Sequence, residues 1–244
     1  MLQLLSMDIS GWMLESAHNI RHQGFSGIAQ SMRPVYQKIL QQGCHVRPPG
    51  TNIYDVDWDL LIVVDACRLD LMKEVGLTYD YVSSIGSIWS VDSTTPYWME
   101  KTFKTEDTHS TTYICGNPFS ANILSGENFD LFHEVWKDSW KSPGSVPPRA
   151  ITDATIEAMK SKRSKYTIAH YLQPHCPFIP TPELSAGKDL ERFGNQDHRD
   201  VWELLRDGEL TETEVWKGYR ENLKLVLDDI QILLNNVDAE KVVI

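Results

Sequence analysis

The residues DLLIVVDACRLDLMKEVG, at positions 59–76, constrain the fold more than any other stretch of the chain. A five-residue apolar run without polar alternation is typical of a strand buried on both faces, as in parallel sheets. The residues that follow Asp65 predict a helix closed by Gly76. A buried strand followed directly by a helix is the basic unit of α/β folds.

The same unit recurs along the chain. Strands alternate with helices, so we expect an α/β fold with a mostly parallel central sheet and helices on both faces. The predicted strands after the first are YDYVSSIGS, which runs from a strand into a loop, TTYICGNPF and KYTIAHYL. The predicted helices are residues 93–104, 148–162 and 211–237.

The predicted α/β region is bounded by two further segments. Residues 1–50 are predicted to be a helical lead-in packed on the core, and residues 51–244 the N-terminal part of the α/β domain. The chain ends in AEKVVI, which has the pattern of the opening of another buried strand. We therefore expect the sequence to be a C-terminally truncated piece of a longer protein.

Composition excludes several classes of function. The chain has 23 Lys and Arg against 34 Asp and Glu, a net charge of -11, and no basic stripe, which argues against a nucleic-acid partner. Its four scattered cysteines predict free thiols in a reducing compartment. LLIVV is too short to span a bilayer and the N-terminus lacks a basic leader, so we expect a cytoplasmic location.

Polar residues follow three of the predicted strands, at the edge where ligands bind in open α/β sheets. Asp65 follows the first strand and is either a helix cap or a ligand for a divalent cation. Arg68, just beyond it, either holds an anionic substrate or forms a surface ion pair with Asp70 or Glu74.

The sequence STTP, residues 93–96, places hydroxyls at the start of a predicted helix. With Pro96 at the first helical position, Thr95 is the expected cap, which leaves Ser93 and Thr94 without a structural role. Thr94 lies where the helix favours an anion, but an alcohol needs a base or a metal to become a nucleophile. The alternative is a Ser/Thr-rich turn with no chemistry.

Histidines accompany the last of these strands. His175, flanked by prolines in QPHCPF, is a metal ligand, a proton donor or a hydrogen-bonded loop residue. His170 lies inside the predicted strand, so we expect it to be structural.

Taken together, LLIVVDACRLD, the Thr-x-Pro at a helix start, HYLQPHCPF and the long helix leading into DAEKVVI resemble the sulfatase-like branch of the alkaline phosphatase superfamily. The resemblance spans roughly residues 55–244. It implies a two-metal site for phosphoryl or sulfuryl transfer, with Asp65 as a metal ligand, Thr94 as the nucleophile and metal ligand, and His175 in contact with the substrate. The metal (Zn, Mn, Mg or Ca) stays open.

The family pattern also shows what this chain lacks. Sulfatases carry Cys-x-Pro-x-Arg, whereas this chain has Thr94, Pro96 and Trp98, so no formylglycine can form and a phosphoester substrate is favoured over a sulfate ester. Ser93 remains an alternative nucleophile. The family's Asp-His-Gly metal ligands would follow Ile244, so we expect this piece to be inactive alone.

The resulting hypothesis is a metal-dependent phosphoester or sulfate-ester hydrolase or transferase with a threonine nucleophile. Its substrate would be an anionic ester, carried by a glycan or a lipid-linked molecule. Two alternatives stay open: a non-catalytic sulfatase-like binding module and a metal-dependent phosphomutase.

Overall fold

A computed structural model describes residues 50–161, 164–184 and 200–244. The predicted helical lead-in, apart from Gly50, lies outside the described residues. The described part contains a five-stranded, all-parallel sheet in the order β3-β2-β4-β1-β5. The strands are β1 (Leu60–Val64), β2 (Thr111–Cys115), β3 (Leu131–Glu134), β4 (Tyr166–Tyr171) and β5 (Val242–Val243).

Strand β4 lies between β2 and β1, although it follows both of them in the chain. It pairs with β1 from Leu60 opposite Thr167 to Val64 opposite Tyr171. It pairs with β2 up to Cys115 opposite His170. The carboxyl ends of β2, β4 and β1 therefore meet side by side at one edge of the sheet.

Helices connect these strands and cover both sides of the sheet. Side chains alternate along a strand, so Leu60 and Ile62 of β1 pack on one face with α1, α5 and α7, while Leu61 packs on the other face with α2. The helices are α1 (Leu69–Val75), α2 (Thr95–Phe103), α3 (Ser120–Ile123), α4 (Trp136–Ser139), α5 (Pro148–Lys160), α6 (Val201–Arg206) and α7 (Glu212–Leu234). The predicted α/β fold, with a parallel sheet and helices on both faces, is confirmed.

Helix α7 packs against α5 and contributes to the core on one face of the sheet. Thr211 caps it with a capping box in which the Thr211 hydroxyl accepts from the amide of Glu214 and the Glu214 carboxylate accepts from the amide of Thr211. Its buried side includes Leu223, Val226 and Ile230, each with no exposed surface. This spacing is that of an amphipathic helix packed on a core.

Three local predictions differ from the structure. The predicted strand at residues 79–87 is wrong, because Tyr79 and Tyr81 turn towards α7 and donate hydrogen bonds to it, and the backbone at 82–89 is neither helix nor strand. Strand β3 was missed, since its LFHE sequence carries no apolar run. Helix α2 has Thr95, not Pro96, as its first residue, so Thr94 rather than the predicted Thr95 is its N-cap.

Within the described ranges, we find no helix with the length and apolar character required to cross a membrane.

Candidate functional site

Asp65 lies at the carboxyl end of β1 and is 9% exposed. Its backbone is held on both sides, since its amide donates to Tyr171 O (3.2 Å) and its carbonyl oxygen accepts from the amide of His175 (3.1 Å). These bonds attach the loop after β1 to the loop after β4. The position of the Asp65 carboxylate is therefore set by two neighbouring strand ends.

The Asp65 carboxylate accepts hydrogen bonds from two other elements. Thr95 Oγ1, in the first turn of α2, donates to the carboxylate and lies 3.1 and 3.3 Å from its two oxygens. Asn117 Nδ2, from the loop after β2, donates to Asp65 Oδ2 over 2.7 Å. The start of α2 and the ends of β1 and β2 thus converge on one buried carboxylate.

His170 of β4 faces the same carboxylate from within the sheet. Its side chain is 1% exposed, and Nδ1 lies 2.7 Å from the Tyr113 hydroxyl. Nε2 lies 3.6 Å from Asp65 Oδ2, which is beyond hydrogen-bond distance, and it has no hydrogen-bond partner among the described residues. The contact is an ion pair when the ring is protonated.

The electrostatics of this pair favour its charged form. Burial alone would lower the pKa of His170, but the contacts with Asp65 and Cys115 outweigh it and raise the pKa to about 9. Burial alone would raise the pKa of Asp65, but His170, His175 and the Asn117 amide hold that pKa below its ordinary value. At neutral pH Asp65 is an ionised carboxylate beside an imidazolium.

His175, predicted to contact substrate, lies half-buried in the loop after β4. Its Nδ1 is 2.5 Å from the carbonyl oxygen of Cys176. Burial opposes the charged ring, but the contacts with Cys176 and the charge of Asp65 raise the pKa of His175 to about 9. The hydrogen bond from the His175 amide to the Asp65 carbonyl oxygen brings this residue next to Asp65.

Thr94, the predicted nucleophile, is exposed at the N-cap of α2. Its side chain makes no capping hydrogen bond within the part of the chain that the structure describes. Its backbone amide donates a hydrogen bond to Asp92 Oδ1 (3.3 Å). The hydroxyl in contact with Asp65 belongs to its neighbour Thr95.

Arg68, predicted to hold an anionic substrate, points into solvent. Its guanidinium pairs with Asp70 at 2.6 Å, and its side chain is 64% exposed. It also lies over the ring of Trp216, 5.5 Å from the centroid. This is the surface ion pair that the sequence left open as the alternative.

The candidate ligands for a metal are few in the described ranges. We find there no group of three or more His, Cys, Asp or Glu side chains that could hold a metal ion. Asp65 has the hard, ionised oxygens that divalent cations prefer. The described residues therefore do not form a metal site by themselves.

Three contributors to this site were not predicted: Thr95, Asn117 and the contact of His170 with Asp65. Asn117 follows a buried strand, as Asp65 does, so the rule that selected Asp65 could also have selected it. The contact of His170 depends on β4 lying beside β1. Local sequence does not encode that strand order.

Comparison of the chain with family models, curated proteins and solved structures finds no match in any of the three.

Proposed function

We propose that the protein is a metal-dependent hydrolase or transferase of phosphoesters or sulfate esters, with phosphoesters favoured. Asp65 serves as a metal ligand and Thr94 as the nucleophile. The observation that carries the proposal is the contact of Thr95 Oγ1 with both oxygens of Asp65. This contact brings the N-terminus of α2, where Thr94 is the exposed N-cap residue, to the edge of the sheet where Asp65 lies.

The chemical environment suits an anionic ester. The first turn of a helix offers backbone N–H groups and a positive dipole end, and α2 is nine residues long. His175 adds positive charge on the loop after β4, since its pKa is raised to about 9. Arg68 would add a second positive charge only if its guanidinium released Asp70 and bound the substrate instead.

The reaction has two displacement steps. The Thr94 hydroxyl loses its proton and attacks phosphorus, the bond from phosphorus to the leaving alkoxide breaks, and the alkoxide takes up a proton. Water or an acceptor hydroxyl then attacks the phosphothreonine, and Thr94 regains its proton. A divalent metal, when bound, supplies charge that lowers the pKa of a hydroxyl and offsets the charge of the transferred group.

The fit to a metal is partial. Asp65 is ionised and at the sheet edge, but the described residues hold no group of three ligands, so this proposal requires further ligands from elsewhere in the protein. The two-metal site is likewise part of the proposal. The proposal leaves the identity of the metal open.

A second candidate, a non-catalytic binding module, is favoured by the partners of Asp65. Its carboxylate already accepts hydrogen bonds from Thr95 and Asn117 and faces the imidazolium of His170, so its negative charge has partners within the fold without any ion. In that case Asp65 links β1, β2 and β4 and has no chemical role.

Hydrolysis of an aryl phosphodiester by the full-length protein tests the proposal. Thr94→Ala should lower kcat at least 100-fold, whereas Thr94→Ser should retain part of the activity because it keeps a hydroxyl. Ser93→Ala is the matched control and should change kcat less than threefold. Full activity in Thr94→Ala, with loss in Ser93→Ala or Thr95→Ala, would assign the nucleophile elsewhere.

A further inference from the structure

One helix contacts both loops that carry the predicted site residues Asp65 and His175. Tyr219 and Asn222 lie three residues apart on α7, so they share one face of the helix. Tyr219 is 2% exposed and Asn222 has no exposed surface. Polar groups this deeply buried are expected to be fully hydrogen-bonded, so their partners show what they hold.

The partners of Tyr219 lie in the turn directly after Asp65. Its hydroxyl donates to the carbonyl oxygen of Ala66 and accepts from the amide of Arg68 (3.1 Å). Ala66 has φ of 60°, in the left-handed region that a residue with a side chain adopts only where its surroundings enforce it. Tyr219 is placed to enforce that turn, because its one hydroxyl bridges both sides of it.

The partners of Asn222 lie in the loop after β4. Its Nδ2 donates to the carbonyl oxygens of Pro174 (3.2 Å) and His175 (3.1 Å), and its Oδ1 accepts from the amide of Ile179 (3.1 Å). The side-chain amide therefore uses both its donor nitrogen and its acceptor oxygen on one loop. Leu would fill a similar volume but could make none of these bonds.

The two loops also contact each other, because the amide of His175 donates to the carbonyl oxygen of Asp65. We propose that Tyr219 and Asn222 are positioning residues: from one face of α7 they fix the loop of Asp65 and the loop of His175 relative to each other. The catalytic consequence rests on the proposed function, whereas the positioning itself does not.

Amide hydrogen exchange, measured by NMR on the full chain, tests the positioning directly. Asn222→Ala should accelerate exchange at His175 and Ile179 at least tenfold. Asn222→Asp should leave Ile179 protected, because a carboxylate still accepts from its amide. It should accelerate exchange at His175, whose amide donates to Asp65, because a carboxylate no longer donates to the carbonyls of Pro174 and His175 and the contact between the two loops is loosened. Tyr219→Phe should accelerate exchange at Arg68 in the same way.

Tyr81→Phe is the matched control. It removes a hydroxyl that donates to the carbonyl oxygen of Leu227 on the same helix (2.8 Å) and that forms no hydrogen bond with either loop among the described residues. It should leave the exchange of His175 and Arg68 within twofold of wild type. The proposal is overturned if the Asn222 and Tyr219 variants leave these amides unchanged, or accelerate them only as much as the core amides of β4.

An activity measurement separates this inference from the proposed function. In an active protein, Asn222→Asp should raise KM or lower kcat at least tenfold while Tyr81→Phe changes neither. A wild-type protein without esterase activity would refute the proposed function, and the exchange rates would still decide the positioning role. Normal exchange in the loops of an inactive Asn222→Asp variant would refute the positioning role alone.

Discussion

Replacing His170 by Gln removes the imidazolium that faces Asp65, and it should change how stability depends on pH. His170 is buried in β4, and its pKa is raised from 6.5 to about 9. Burial works against this rise, so the rise reflects the contacts with Asp65 and Cys115. The wild-type protein therefore binds a proton at this position more tightly when folded than when unfolded.

The sign of the effect follows from that difference. A group with a raised pKa in the folded state stabilises the fold fully below its unfolded pKa, here 6.5, and this contribution is lost as the pH rises through about 9. At about 1.4 kcal/mol for each pH unit, the contribution is about 3 kcal/mol below pH 6.5. It should be close to zero at pH 10 and above.

Urea unfolding of wild type and His170→Gln, between about pH 6 and pH 10 with a chelator present, measures this contribution. The difference in unfolding free energy between the two proteins should shrink by about 3 kcal/mol across that range. The change in packing also contributes to the difference in unfolding free energy, by an amount that does not vary with pH. His175 titrates in both proteins, so the difference isolates His170.

His133→Gln provides the matched control, since His133 is an exposed histidine on β3. Its stability difference from wild type should stay within about 0.5 kcal/mol, as expected for a surface position. A difference for His170→Gln that is independent of pH would refute the reasoning. So would an NMR titration of the His170 ring with a midpoint at or below 6.5.

Two further predictions concern α7. Gly218→Ala should destabilise the protein by about 1–3 kcal/mol, because the added methyl carbon would lie 2.7 Å from atoms of Phe178 and Leu184. Unchanged urea unfolding would mean that these side chains move aside freely. Thr211→Ala should lower the free energy of unfolding by about 1 kcal/mol, because it removes the cap of α7. Replacing the exposed Thr213 by Ala should lower it less. Equal losses would show that the cap contributes nothing.

The strands that could be predicted are those whose local pattern is decisive. LLIVV, TTYIC and the core of KYTIAHYL are uninterrupted apolar or β-branched runs, and each forms a strand of the sheet. LFHE has no such run and was missed because its pairing with β2 determines its structure. The residues around Tyr79 and Tyr81 have strand-like composition, but their hydroxyls bond to α7, a tertiary contact that overrides the local preference.

The candidate site was predictable only in part, for the same reason. Asp65 is placed by one strand end, which the sequence reveals. Its contact with His170 requires β4 to lie beside β1, and its contact with Asn117 requires β2 to lie on the far side of β4. The choice between Thr94 and Thr95 turns on a single residue at a helix start, where sequence patterns are least decisive.

Titration of the metal-free, full-length protein with Mn²⁺, followed by EPR, tests the central claim that Asp65 is a metal ligand. Wild type should bind with micromolar affinity, and Asp65→Asn should weaken binding at least 100-fold. The control is Asp70→Asn, which removes an exposed carboxylate paired with Arg68 and should bind as wild type does. Failure of wild type to bind Mn²⁺, Zn²⁺, Mg²⁺ or Ca²⁺, or unchanged binding in Asp65→Asn, would contradict the account.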